Sequence, residues 1–316
     1  MRRRDWLAAA GGAPLARTAP PAKIETEVVR LNLRHTWTTV MSSSQYRDNL
    51  HLRYSAGGAT GHGEGAPIPR YQEDARSAEQ AVGSLAGLLR SADPWQFAKV
   101  MAQVFQRLEG QYAAKAAIDI ALVDWVTQKL GIPLYRYFGL DPKDAPLTTF
   151  SIGIDSPEMT RQKVREAEEF PVLKVKVGLA SNEATLEAVR SVTRKPLRVD
   201  ANEGWKDPEE AARKIRWLES QGVELIEQPL PAAMLDEARR LRSRVNMPIF
   251  ADEAARRPSD IPKLAGAYDG INVKLMKCGG ILEAMRMIQV ARSLGMKVML
   301  GCMIESSVGI TAAAHL

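Results

Sequence analysis

The sequence predicts an α/β protein in two parts, a domain of repeated strand–helix units preceded by a smaller α+β domain. Two observations predict it. After Pro146, strands and helices alternate regularly, which implies a parallel sheet with helical crossovers, and seven such strands suggest a (β/α) barrel. Before Gly139, short strands are followed by a run of helices, the signature of a separate α+β unit. Periodicity alone leaves a barrel and an open doubly wound sheet as alternatives, and the chemistry at the strand ends decides between them.

Composition sets the bounds. At 316 residues, 45% hydrophobic and 25% charged, the chain reads as an ordinary soluble globular protein with room for a large core. The net charge of +6 is modest for this size. Arg239, Arg240, Arg242 and Arg244 read as a solvated helix face, since no aromatic residues interleave with them as a nucleic-acid surface would require. No apolar run approaches membrane-spanning length. The expected partner is a small molecule, with neither nucleic acid nor membrane, and a homo-oligomer is compatible with the sequence. Cys278 and Cys302 lack metal-ligand spacing and are expected to be a pair of buried free thiols.

Residues 1–22 stand apart. Arg3-Arg4-Asp5-Trp6-Leu7 followed by an Ala/Gly-rich stretch resembles a twin-arginine export signal, which would place the protein in the periplasm; the alternative is a disordered tail on a cytoplasmic protein. The α+β domain then spans 23–140. Glu27–Leu31 and Asn49–Tyr54 are strands, with Ser42-Ser43-Ser44-Gln45 as the loop between them. Gly57-Gly58 and Gly61-His62-Gly63-Glu64-Gly65 are turns around a third strand in an antiparallel meander, and the Gly-rich stretch is expected to be a mobile loop. Helices follow over 75–90, 94–108 and 112–130, the last stopped by Gly131 and Pro133.

The barrel domain, 146–316, has strands at 147–152, 172–177, 197–200, 224–227, 249–252, 271–275 and 298–301. Asp207-Pro208 opens the helix to Ser220, and a helix from Ile281 ends at Gly295. In Leu173–Gly178 a period of two sets Lys174 and Lys176 on one face. Neighbouring ammonium groups make each other easier to deprotonate, and a lysine so tuned serves as a general base. The competing reading is an edge strand protected by solvated lysines.

The strand ends favour the first reading. Asp200, Glu227 and Asp252 close three successive strands, and Lys274 closes the next. In a barrel those ends converge on one mouth. Three gathered carboxylates repel unless a cation neutralises them, and an all-oxygen set without His or Cys selects a hard ion, Mg2+. The alternative, that each acid merely caps the following helix, is hard to sustain for three consecutive units flanked by strand lysines.

Lys174-Val175-Lys176, Asp200-Ala201-Asn202, Glu227-Gln228-Pro229, Asp252-Glu253 and Lys274-Leu275-Met276-Lys277-Cys278-Gly279-Gly280 together resemble the enolase superfamily in its muconate lactonizing enzyme subgroup. The mandelate racemase subgroup fits less well, because Val298-Met299-Leu300-Gly301 and its surroundings carry no catalytic His. Thr149–Asp155, Asn272–Lys277 and Gly301–Ser307 look most like the dipeptide epimerases, the L-Ala-D/L-Glu type among them. The fold so implied is a modified TIM barrel with an N-terminal α+β capping domain.

The activity implied is magnesium-dependent epimerisation of a dipeptide at the α-carbon of its C-terminal residue, superfamily chemistry that pairs a Lys base with a metal-stabilised enediolate. By the same resemblance Asp200, Glu227 and Asp252 hold Mg2+, and Lys176 and Lys274 stand on opposite faces of the α-carbon. Lys174 depresses the pKa of Lys176 and helps hold the substrate carboxylate, Ser151 touches the dipeptide backbone, and Asn202 and Glu253 support the ligands. Lys277 forms a structural salt bridge, with Glu253 as one option. Substrate preference is expected in 34–47 and 57–65.

The resemblance also implies an eighth strand with an Asp-x-Asp motif for the substrate ammonium. The sequence ends at Ala312-Ala313-Ala314-His315-Leu316, so the expected barrel is short of its last strand. The rival readings are an N-succinylamino acid racemase, o-succinylbenzoate synthase or muconate cycloisomerase, and, in another class, an inactive truncated remnant.

Overall fold

The computed structural model describes residues 21–179 and 182–316. The export-signal reading of Arg3-Arg4 lies outside them. β1 (Lys23–Thr38), β2 (Ser43–Ala56) and β3 (Ala59–Gly65) form an antiparallel meander. The first two strands are longer than the sequence suggested. Ser43 to Gln45 belong to β2, and the connection is the short turn closed by Thr39 N–H donating to Ser42 O at 2.9 Å.

The Gly-rich stretch is not a mobile loop. Gly61, Gly63 and Gly65 lie in β3, where a Cβ would come within 1.9, 1.9 and 2.4 Å of the carbonyl oxygens of Ala121, Ala117 and Ala113. The glycines let the strand lie directly on the Tyr112–Leu130 helix, an approach any side chain would forbid.

Helices Ala75–Ser84, Ala86–Ser91 and Phe97–Arg107 complete this unit. Asp74 and Ser77 cap the first reciprocally, and the break before Ala86 divides the single helix expected over 75–90. The Tyr112–Leu130 helix is apolar almost all round, as a helix buried between two layers must be. Ala117, Ile118, Leu122 and Trp125 pack into the N-terminal core, whereas Ala116, Ile120 and Val123 join the core of the second unit.

That second unit is a sheet of seven parallel strands: β4 (Thr149–Ile152), β5 (Val172–Lys176), β6 (Leu197–Asp200), β7 (Val223–Glu227), β8 (Ile249–Ala251), β9 (Gly270–Val273) and β10 (Lys297–Leu300). Each pairs with its sequence neighbour, so the order runs from β4 to β10 without a switch. This order is that of a barrel wall and not of a doubly wound sheet. The sheet curls into a half-barrel whose edges, among the described residues, are β4 and β10.

Helices cover its outer face, among them Pro157–Glu166, Pro208–Ser220, Leu235–Arg242 and Ile281–Ser293. The arginines of the third of these form surface ion pairs, Arg239 with Asp236 and Arg240 with Glu237. No helix among the described residues is long and apolar enough to cross a membrane. Cys278 is buried in the short Leu275–Cys278 helix, but Cys302 is exposed on the loop after β10, which corrects the expectation of two buried thiols.

Candidate active site

Parallel register carries the functional side chains to one end of the sheet. Lys176 pairs with Asp200 and Asp200 with Glu227, so β5, β6 and β7 present a lysine and two carboxylates in one row. Asp252 follows β8 directly, and Lys274 follows β9. Across five successive strands the sequence of groups is base, acid, acid, acid, base. β5 lies between β4 and β6, so Lys174 and Lys176 are not the solvated lysines of an edge strand. Lys174 is largely buried and Lys176 fully so.

The carboxylates are tightly held. One oxygen each of Asp200, Glu227 and Asp252 lies within 4.8 Å of the others. Lys176 Nζ donates to Asp200 Oδ2 at 2.6 Å and to Asn202 Oδ1 at 2.9 Å. Lys174 Nζ bridges Glu227 Oε2 at 2.7 Å and Asp200 Oδ2 at 2.9 Å. From the other side Lys274 Nζ donates to Asp252 Oδ2 at 2.7 Å. Lys277 binds Asp252 as well, through its side chain and through its backbone carbonyl at 2.6 Å, so its partner is Asp252 and not Glu253. It is the nearer acid, because Lys277 lies one helical turn beyond Lys274 and reaches back under β9, where it also meets Asn272 O at 3.0 Å.

Burial and charge compete at every member. Burial disfavours the Asp200 carboxylate, yet Lys174 and Lys176 outweigh it and hold its pKa below the usual range. Asp252 is held well below that range, Lys274 and Lys277 overcoming burial. Glu227 behaves oppositely: burial and the neighbouring Asp200 push it up to about 7. Burial pushes Glu253 up to about 8, with Asp252 and Asp200 adding to the shift. A compact, all-oxygen set of three buried carboxylates fits a hard divalent cation.

The structure changes the expected role of lysine repulsion. At Lys174, burial favours the neutral amine, but Asp200 and Glu227 reverse this and hold the ammonium above its ordinary range; Lys274 is likewise raised, by Asp252 and Glu227. With the carboxylates so close, attraction to them exceeds repulsion between lysines. A cation taking up the carboxylate charge would remove much of that pull.

Asn202 donates to Glu253 Oε1 at 3.1 Å while accepting from Lys176. Ser151 is half-buried and in register with Lys174, but bonds to none of the cluster.

Two supports carried no assigned role in the sequence reading. Asn272 Nδ2 donates to Glu227 Oε1 at 2.8 Å, and its period-two relation to Lys274 was the available signal. Gln228, with a left-handed φ of 36°, uses its whole side chain: Oε1 accepts from the N–H groups of Asp252 and Ala254, and Nε2 donates to Leu230 O and Tyr268 Oη. It ties the end of β7 to the metal-ligand candidate after β8. Tyr71, on a short turn of the N-terminal unit, comes close enough for burial and the Asp252 charge to push its hydroxyl upward.

A half-barrel with acids on its three central strand ends, which could hold a metal ion, and lysines outside them has the arrangement of an enzyme that moves protons. Residues 23–139 match the mandelate racemase/muconate lactonizing enzyme N-terminal domain, and residues 158–316 match the enolase C-terminal domain-like family. The chain thus belongs to the mandelate racemase/muconate lactonizing enzyme branch of the enolase superfamily.

Among its relatives, an L-Ala-D/L-Glu epimerase of Bacteroides thetaiotaomicron is 41% identical over 286 residues, 90% of this chain and 74% of the relative. An L-Ala-D/L-amino acid epimerase of Pedosphaera parvula is also 41% identical, over 90% of this chain and 84% of its own. The crystal structure of a dipeptide epimerase from Enterococcus faecalis V583, complexed with Mg and the dipeptide L-Leu-L-Tyr, superposes with a TM-score of 0.86 at 32% identity, covering 95% of this chain and 86% of that one.

Proposed function

We propose that this protein is a magnesium-dependent dipeptide epimerase that removes and returns the α-proton of the C-terminal residue of a dipeptide. The observation that carries this reading is the flanking of three central carboxylates by a lysine on either side. Lys176 reaches the cluster through Asp200 from β5, and Lys274 through Asp252 from β9. A substrate carboxylate seated between them would present opposite faces of its α-carbon to the two amines, as a two-base proton transfer requires.

Asp200, Glu227 and Asp252 would hold the Mg2+, which when bound supplies positive charge to the substrate carboxylate as its α-proton becomes acidic. Lys176 takes the proton from one epimer and donates to the other, and Lys274 performs the complementary pair of transfers. Lys174, fixed by Asp200 and Glu227, stands beside the position of the substrate carboxylate and adds fixed charge there. Asn202 orients Lys176, while Lys277 and Gln228 fix Asp252. Ser151, in register with Lys174, would meet the peptide backbone of the substrate.

The named relatives are epimerases of L-Ala dipeptides, which favours this reading over an N-acyl amino acid racemase. Proton NMR in D2O with Mg2+, on L-Ala-L-Glu, L-Ala-L-Lys, L-Leu-L-Tyr and N-succinyl amino acids, tests it. A second diastereomer deuterated at the C-terminal α-carbon, lost on chelation and regained with Mg2+, is expected from a dipeptide. Turnover of N-succinyl amino acids alone would reject it.

A further inference from the structure

Two carboxylates of the N-terminal unit leave their own domain and cap segments of the barrel. Glu64, at the end of β3, is completely buried and uses both oxygens. Oε1 accepts from Asn49 Nδ2 and from Ser306 N–H, each at 2.8 Å; Oε2 accepts from Ser306 Oγ at 2.6 Å and Gly309 N–H at 2.8 Å. Asn49 also donates to Ile304 O at 2.8 Å. The segment gripped, Ile304 to Gly309, carries the chain away from the mouth end of β10 and opens the Ser307–Ala314 helix.

Asp119, the lone acid in the apolar stretch from Ala116 to Val123, does the same at the neighbouring unit. Its Oδ2 accepts from the N–H groups of Ile281 and Leu282, opening a helix whose N-cap, Gly280, has no side chain to serve. A Cβ on Gly280 would lie 2.4 Å from Asp119, so the glycine admits the foreign cap. Between these grips Ala66 N–H donates to Met276 Sδ at 3.2 Å. One gripped segment follows Lys274 after the short Leu275–Cys278 helix, and the other lies beyond β10, the strand next to β9. Lys174 and Lys176 on β5 make no bond to either carboxylate.

We infer that Glu64 and Asp119 are positioning residues that set Lys274, and not Lys176, for its half of the proton transfer. The inference rests on the two-lysine reading. It makes the N-terminal unit a structural part of one catalytic base, with Glu64 holding the loop beside Lys274 and Asp119 holding the turn after it. Displacing a reacting group by about 1 Å costs on the order of a hundredfold in rate. Loss of either grip is therefore felt on one face of the substrate.

The test compares wild type, Lys274→Ala and Glu64→Gln as full chains with Mg2+. L-Ala-L-Glu and L-Ala-D-Glu are incubated separately in D2O and the initial loss of the α-proton signal is followed. Glutamine keeps the shape of Glu64 but turns an N–H2 group toward N–H donors. The expected result is a fall of about tenfold or more in exchange of the epimer that Lys274→Ala also fails to exchange, with the other epimer within about twofold of wild type. An equal fall on both faces is plain destabilisation and overturns the inference, as does no fall on either.

Asp119→Ala should share the asymmetry and Asp119→Asn should rescue it, because Oδ1 has no partner and one amide oxygen suffices for both N–H groups. If wild type exchanges neither epimer, the reaction reading has failed. Amide hydrogen exchange of Glu64→Gln then decides the positioning of the Lys274 segment separately from any part in proton transfer. Faster exchange confined to 274–282 and 301–310, with 172–178 unchanged, upholds it, and unchanged exchange at 274–282 overturns it.

Discussion

The N-terminal unit meets the barrel along two seams of different kinds. Beside β4 and β5 the seam lies at the tip of the β1–β2 hairpin. There Ile154 N–H donates to Thr38 O at 2.9 Å, Lys163 Nζ donates to Thr36 O at 3.5 Å, and His35 meets Glu166 at 2.6 Å in a partly exposed pair. Beside β9 and β10 the seam is Glu64, Asp119 and the Met276 contact, all inside the molecule. Exposed pairs are screened and exchange readily with water, whereas a buried carboxylate satisfied by backbone N–H groups has no cheap alternative. The hairpin seam is therefore adjustable, and the inner seam is fixed.

The largest effect should come from breaking the inner seam outright. Glu64→Ala leaves the N–H groups of Ser306 and Gly309 without their acceptor and takes one of the two acceptors of the Asn49 amide, and should cost about 4 kcal/mol, read as a lowered denaturation midpoint. Next is Gly63→Ala, whose Cβ would meet the Ala117 carbonyl at 1.9 Å and push β3 off its helix. Overpacking of this kind costs about 1–3 kcal/mol, and the same chemical denaturation reads it.

Asp119 sets the inner seam apart through pH. Burial pushes its carboxyl from the ordinary 3.8 up to about 7, against the pull of the Leu282 and Ile281 N–H groups. Between those values the folded chain keeps a proton that the unfolded chain releases, so this contribution is full below about pH 4 and fades as pH rises toward 7. Melting curves across that window should fall more gently for Asp119→Asn than for wild type. An identical slope would mean that Asp119 titrates normally. At the hairpin seam, His35→Ala should shift stability by less than about 1 kcal/mol, and high salt should shrink even that in a double-mutant cycle with Glu166→Ala.

Much of the site was legible because its groups end strands. Asp200, Glu227, Asp252 and Lys274 each close a run of apolar, β-forming residues, and parallel order then carries them to one mouth. The fixed seam was not legible. Glu64 and Asp119 find partners far along the sequence, at Ser306 and Ile281, and local pattern says nothing about such pairings. Two signals were present nonetheless: an acid inside a helix apolar on every side, and glycines at 61, 63 and 65 whose period of two marks one face of a strand. Lys277 choosing Asp252 over Glu253, and carboxylates outweighing lysine repulsion, depend on distances that spacing cannot supply.

The most direct measurement of the central claim is face-resolved exchange in the two lysine variants. Lys176→Ala and Lys274→Ala are each incubated in D2O with Mg2+ and the L,L and L,D forms of a dipeptide that wild type epimerises. Both variants should fail to interconvert the epimers, each still exchanging the α-proton of one, and a different one in the two variants. Exchange of both epimers by either variant, or loss of both in a variant that still binds Mg2+ and melts like wild type, would contradict a two-lysine mechanism.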